Sequence, residues 1–107
     1  MYCRSCRKWF PNNILFCDIC GKPLVKDLDI YGENFFNGDV QAFDYIYQNS
    51  YNWVAGEVRK MFLANSSEVE DCVQEIYLLL YRKIKYYDPR QGSFSAWFNA
   101  LVRNRIY

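Results

Sequence analysis

Residues 67–86 read SEVEDCVQEIYLLLYRKIKY, and their spacing decides the fold class. Val69, Val73, Ile76, Leu80 and Ile84 follow one another at steps of three or four, which places them on one stripe of an α-helix. Ser67 with Glu70 three residues on is a capping-box signature, each side chain satisfying a backbone amide that the first turn leaves free. The spacing therefore predicts a helix from Ser67 to about Tyr86. Asp71, Gln74 and Glu75, at offsets of zero, three and four, share one acidic face that lies mostly outside the buried stripe. Read by itself, that face is a solvated surface whose acids sit favourably near a helix N-terminus, worth about 0.3–1 kcal/mol each. Cys72 has no cysteine or histidine near it in sequence and reads as a small apolar core residue.

Working outward from this helix, the same period continues on both sides. Asp88-Pro89-Arg90-Gln91-Gly92 breaks it, and Ser93 then caps a last helix with Phe94, Trp97, Phe98 and Leu101 on its apolar face. Upstream, Asp39 can cap a helix carrying Val40, Phe43, Ile46 and Tyr47. A break is expected near Asn49-Ser50, followed by a second helix through Trp53, Val54, Val58, Met61 and Phe62 that ends at Asn65-Ser66-Ser67. No segment of strand period competes, so the expected class is mainly α, with four helices over residues 36–107 and a linker at 26–35.

The first 25 residues follow a different logic. Cys3-Arg4-Ser5-Cys6 and Cys17-Asp18-Ile19-Cys20 form two pairs, and each two-residue gap lets a tight turn aim both sulfurs at one ion. Trp9, Phe10, Pro11 and Phe16 surround the pairs, and Gly21 follows the last cysteine, where a turn often needs positive φ. So short a segment cannot bury a stabilising core, so metal must hold it. Structural zinc supplies about 10–16 kcal/mol in small modules, against about 5–15 kcal/mol for the stability of a typical domain. The segment resembles a zinc ribbon whose second knuckle reads Phe-Cys-x-x-Cys-Gly, here Phe16 to Gly21. Cys3, Cys6, Cys17 and Cys20 are the expected ligands of structural zinc, and an iron site of rubredoxin type on the same four thiolates is the alternative.

Composition and charge narrow the function. Of 107 residues, 51% are hydrophobic and 20% aromatic, which suits a folded core and excludes a disordered tail. The net charge of +1 conceals a strong asymmetry. Residues 1–26 carry five basic groups and one acid, residues 27–75 two basic groups and ten acids, and residues 76–107 six basic groups and one acid. Such a layout fits two unlike surfaces, one for a basic partner and one for phosphates. In the last third, Arg82, Lys83, Lys85, Arg90, Arg103 and Arg105 supply cations, and Tyr86, Tyr87 and Trp97 supply rings that could stack on the bases of an unwound strand. The spacing of Trp97 with Phe94 and Leu101 equally suits a core position. The N-terminus lacks the apolar stretch of a signal peptide, and the longest apolar run, 76–81, is far short of the ~20 residues that cross a bilayer, so a cytoplasmic location is expected. An enzyme is not expected. The chain contains no histidine and no Gly-rich loop that opens a helix, and Glu68, Glu70, Asp71 and Glu75 share one helix instead of facing across a cleft.

Several separated blocks carry a family resemblance. Glu70-Asp71-Cys72-Val73-Gln74-Glu75-Ile76-Tyr77, Tyr81-Arg82, Phe94-Ser95-Ala96-Trp97-Phe98 and Arg103-Asn104, with Gly38-Asp39-Val40-Gln41-Ala42-Phe43 upstream, occur in one order. Together they are similar to region 2 of bacterial RNA polymerase sigma factors, particularly the extracytoplasmic-function (ECF) group. The resemblance implies a four-helix region 2 bundle that takes part in transcription initiation. It further implies that Asp71, Gln74, Glu75 and Leu78 dock on the coiled coil of the largest subunit of core RNA polymerase. Arg82, Lys85, Tyr86, Tyr87, Arg90, Trp97, Arg103 and Asn104 would then contact the non-template strand of promoter DNA at the minus-ten element. The loop from Tyr87 to Ser93 would capture a flipped base, and Asn104 falls where the family places a base-contacting asparagine. An anti-sigma factor is a further implied partner. Complete members carry a second helix-turn-helix domain, so an end at Tyr107, inside the DNA-reading helix, implies a truncated domain. The competing class is a zinc-ribbon interaction module whose helical bundle binds protein and never DNA.

Overall fold

The computed structural model describes residues 1–61 and 66–106. A hairpin of β1 (Tyr2–Cys3) and β2 (Lys8–Trp9) opens the chain. Among the described residues four α-helices follow: α1 (Asp27–Phe36), α2 (Gln41–Arg59), α3 (Ser66–Lys83) and α4 (Phe94–Ile106), with a 3-10 turn at Ile84–Tyr86 behind α3. Tyr2 lies opposite Trp9 in the antiparallel hairpin and also bridges Val25, so the end of the N-terminal module folds back on its start.

The expected stripe of α3 is the centre of the core. Val69, Val73, Ile76 and Leu80 are buried together with Cys72 and Tyr77, and they meet Ile46, Val54 and Val58 of α2 and Phe94, Phe98 and Val102 of α4. Emptying one such site to alanine typically costs about 2–5 kcal/mol, so this interior dominates the stability of the bundle. Asp39 caps the start of α2, its Oδ1 accepting from the Gln41 amide at 3.1 Å, and Ser93 caps α4 by accepting from the Ala96 amide at 3.2 Å.

The number of helices agrees with the sequence reading, but their identities do not. No break occurs at Asn49-Ser50, because both side chains bond backward within the helix. Asn49 Nδ2 donates to the Tyr45 carbonyl at 2.9 Å, and the Ser50 hydroxyl donates to the Ile46 carbonyl at 2.5 Å. Ser50 Oγ in turn meets the buried Tyr77 hydroxyl at 2.6 Å, and burial pushes that phenol up to about 12, which keeps it a donor. The two helices expected there are therefore one, and Met61 falls in the turn after it. Phe62 lies outside the described residues. Helix α3 begins at Ser66, one residue before the serine read as its cap.

The fourth helix comes from residues 26–35, expected to be a linker. Only Lys26 stays outside α1, whose first turn carries Asp27 and Asp29 at the positive end of the helix dipole. The helix ends at Asn37 and Gly38, the latter at φ +103°, with the Gly38 amide donating to the Phe35 carbonyl and that of Asp39 to the Asn34 carbonyl. Gly32 at mid-helix allows a close approach of α1 to α4, since a Cβ there would stand 2.0–2.4 Å from the Phe94 ring. Asp29, buried, accepts from the Ser95 amide at 2.8 Å and the Ser95 hydroxyl at 2.5 Å, which ties α1 to the first turn of α4.

The N-terminal module is fastened to the bundle through α1. Rings from four elements follow one another: Tyr2 and Trp9 are 4.7 Å apart between centroids, Trp9 and Tyr31 5.7 Å, and Tyr31 and Tyr45 3.7 Å. Arg4 donates to Glu33 at 2.5 Å, and the N-terminal ammonium pairs with Asp27. No helix of the described residues is long and apolar enough to cross a membrane.

Candidate functional site

The outward face of α3 presents Asp71, Gln74, Glu75 and Leu78 to solvent, with Leu78 55% exposed. Asp71, Gln74 and Glu75 are brought together as the spacing predicts, with Leu78 on the same side, but two of the polar groups are already engaged. Gln74 Nε2 donates to Glu70 at 2.9 Å and to the Tyr47 hydroxyl at 2.9 Å, while Glu75 pairs with Arg105 of α4. Asp71 has no partner among the described residues. Glu70 also accepts from the Tyr51 hydroxyl at 2.6 Å, and this bond, with that from Gln74, holds its carboxyl below the usual range. Beside the acids lies a groove of about 360 Å³ lined by Phe43, Tyr47, Gln74, Tyr77, Leu78 and Tyr81. Sequence reasoning missed this groove, although Phe43 and Tyr47 at i and i+4 of α2 and Tyr77 and Tyr81 at i and i+4 of α3 carried its signal.

The basic, aromatic residues meet around α4. A cavity of about 300 Å³ is lined by Tyr86, Tyr87, Asp88, Gln91, Ser93 and Trp97, among others, and a second of about 420 Å³ by Lys83, Tyr86, Trp97, Leu101 and Asn104. Tyr86, 70% exposed, and Trp97, half-buried, are common to both. Trp97 leans on Phe94 and Tyr87 with one side and borders the cavities with another, so its core and surface readings coexist. The Lys85 ammonium lies 5.3 Å from the centre of the Tyr86 ring, a cation–π contact. Arg82, Arg90 and Arg103 are exposed and border neither cavity.

The loop between the 3-10 turn and α4 is stiffened by its own polar groups. Asp88 accepts from the Arg90 amide at 3.0 Å and from the Arg90 guanidinium at 3.2 and 3.3 Å, which holds the Asp88 carboxyl below the usual carboxylate range. Tyr87 corrects the sequence reading. Expected as an exposed stacking ring, it is 3% exposed, enclosed by Phe36, Phe94 and Trp97, with its hydroxyl donating to the Gly92 carbonyl at 3.0 Å. The cause is α1: once residues 27–36 are helical, Phe36 reaches the ring edge-on and closes it off from solvent. Tyr87 therefore shapes the loop from below, and Tyr86 is the ring that faces outward.

The four N-terminal cysteines converge. Their Sγ atoms all lie within 4.8 Å of one another, with Cys3 and Cys20 at 3.6 Å and Cys6 and Cys17 at 3.7 Å. A tetrahedral ion with Zn–S bonds of ~2.3 Å would set its sulfurs about 3.8 Å apart, so the donor set fits such an ion. Backbone amides also point at two of the sulfurs, Cys6 N–H at Cys3 at 3.3 Å and Ile19 N–H at Cys17 at 3.4 Å. Amide donors from Cys20 and Ile19 hold the Cys17 thiol down to about 7, whereas burial beside the other sulfurs pushes Cys6 up to about 12. Four sulfurs this close can all ionise only around a cation. Gly21 has φ +74°, as its place after the second pair suggests.

Residues 46–107 match the Sigma-70 region 2 family, and the chain belongs to that family. Among curated proteins it is similar to the ECF RNA polymerase sigma factor SigK of Mycobacterium sp. strain KMS and to its namesake in strain JLS. Each is 34% identical over 82 residues, which cover 77% of this chain and 42% of the relative. The chain thus spans less than half the length of the curated relatives it matches. No solved structure matches it. Sigma factors are non-enzymatic regulators of RNA polymerase.

Proposed function

We propose that this chain is the part of an ECF sigma factor that docks on core RNA polymerase and holds open the minus-ten element of a promoter. The observation that carries the reading is the division of α3. One stripe is buried from end to end, while Asp71, Gln74, Glu75 and Leu78 stay outward beside an apolar groove. A basic coiled coil of the largest polymerase subunit fits that surface. Glu75 is already paired to Arg105 across the surface, and exposed pairs are worth only about 0–1 kcal/mol, so an incoming cation can replace Arg105 at little cost.

On the other side, the non-template strand is read by Tyr86, Trp97 and Asn104, which border the cavities, with Arg82, Lys85, Arg90 and Arg103 neutralising phosphates. A flipped base costs a few kcal/mol to extrude, and the cavity above Tyr87 offers a ring wall and polar loop atoms to offset it. Cys3, Cys6, Cys17 and Cys20 hold structural zinc, which supplies the cross-link that orders residues 1–25.

The test is the paired substitution Asp71→Lys and Glu75→Lys, with binding to core polymerase measured by fluorescence anisotropy. Affinity is expected to fall at least tenfold, with the helical circular dichroism unchanged. Unchanged affinity in a folded variant would overturn the docking surface.

A further inference from the structure

The two cysteine knuckles differ at one backbone position. Arg7 and Gly21 each follow the second cysteine of a pair, and both adopt positive φ, +56° and +74°. Glycine takes this conformation freely, whereas a side chain there is strained. The first knuckle nevertheless carries an arginine, and its side chain borders a cavity of about 340 Å³ between the N-terminal module and α1. Tyr2, Arg4 and Trp9 from the module and Glu33 and Asn34 from α1 line the same cavity. Arg4 and Glu33 neutralise each other, and Arg7 has no acidic partner among the described residues. Trp9, half-exposed, is backed by Tyr31 and Tyr2, so its ring is held in place without being covered.

Helix α1 connects this cavity to the loop of residues 87–93. Glu33 and Asn34 border it, while Phe36 on the same helix packs edge-on against Tyr87, the floor of the loop cavity, at 5.6 Å. Elsewhere in residues 1–26, Lys8 and Lys26 are exposed cations without acidic partners among the described residues, in a segment whose single acid is Asp18.

We infer that the N-terminal module is a second DNA contact, in which the cavity between β2 and α1 receives a nucleotide of the strand that passes the 87–93 loop. Arg7 grips the phosphate, as a guanidinium suits a bidentate anion, Trp9 offers a face to the base, and Asn34 supplies an amide at the rim. The inference rests on the DNA reading given above and extends the bound strand from α4 across α1 to the cysteine module.

The strain at Arg7 provides a test that a purely structural residue would fail. In Arg7→Gly the strained backbone is relieved while the cation is lost, so stability and DNA binding should move in opposite directions. The zinc-loaded full chain, alone and with core polymerase, is titrated against a fluorescein-labelled forked duplex with an AT-rich single-stranded arm over a series of KCl concentrations. Arg7→Gly should bind severalfold more weakly, and the slope of log K against log salt should flatten by about 0.7–0.9, one phosphate contact. Its thermal midpoint should be no lower than that of the parent. Trp9→Ala should lose at least fivefold in affinity, with a smaller change in slope. Unchanged affinity and slope in Arg7→Gly, with Tyr86→Ala still weakening binding, would overturn this contact and leave the loop reading intact. Absence of salt-dependent DNA binding by the parent, even with polymerase, would overturn both. If Arg7→Gly weakens polymerase binding without DNA and leaves DNA affinity unaltered, the cavity is a protein contact and the inference falls.

Discussion

Three side chains, Cys3, Cys17 and Leu24, make up the buried cluster of the N-terminal module among the described residues, against sixteen in the helical bundle. Two of those three are also candidate metal ligands, so in the module the core and the proposed metal centre overlap. In the bundle, the interior of Ile76, Leu80, Phe94 and their neighbours contains no group that needs an ion. The first region would owe its order to the proposed metal, and the second is stable through burial of apolar surface. The largest predicted effect follows from that contrast. If the proposed metal is bound, Cys17→Ser, or treatment with a strong chelator, should abolish amide-exchange protection over residues 1–25, since structural zinc supplies about 10–16 kcal/mol in small modules. Protection in α2 and α3 should remain, with the helical circular dichroism nearly unchanged. If both regions lose protection together, they are one cooperative unit and the contrast is wrong.

The next prediction concerns the element that joins the two. Helix α1 carries the ring stack and the Arg4–Glu33 pair on one side and meets Phe94 through Gly32 on the other. Gly32→Ala places a methyl inside the Phe94 ring, and overpacking of this kind costs about 1–3 kcal/mol. Urea denaturation followed at 222 nm should show the loss as a lower midpoint. An unchanged midpoint would mean that residues 27–36 are a spacer after all and that the bundle stands without them.

That helix also shows where the sequence was legible and where it was not. The stripe of α3, the caps at Asp39 and Ser93, the buried Cys72 and the converging cysteines could all be read in advance, because each depends on residues near one another in the chain. Helix α1 could not. Gly32 lowers its intrinsic propensity, and the reason for a glycine there is a ring sixty-two positions away. The continuity of α2 was hidden similarly, since Asn49 and Ser50 commonly interrupt helices and are retained here by bonds to Tyr45, Ile46 and Tyr77. Tyr87 was misread as a consequence of α1, because the ring that covers it belongs to the supposed linker. In the candidate surfaces, the acidic face was legible from local spacing. The tyrosine-lined groove beside it needed the register between α2 and α3, which no local pattern carries.

The smallest effect separates the two regions by their response to acid. If Cys3, Cys6, Cys17 and Cys20 hold the proposed metal, protons compete with it for four thiolates at once, so acidification should release the N-terminal module steeply and together with that ion. The bundle carries a gentler dependence at Glu70, where the Tyr51 hydroxyl and Gln74 favour the ionised carboxylate and depress its pKa from 4.5. A group whose pKa is lowered on folding contributes stability above its unfolded value and loses that contribution as pH falls through the folded one. The helical stability of the parent should therefore exceed that of Tyr51→Phe by a constant margin near neutrality. Below about pH 4.5 the margin should narrow, as the carboxylate that accepts the Tyr51 hydrogen is protonated. Thermal unfolding followed at 222 nm between pH 6 and pH 3 measures that margin, and chelator-treated samples exclude metal release as its source. A margin that stays constant over the whole range would show that the Tyr51 ring, and not its bond to Glu70, joins α2 to α3.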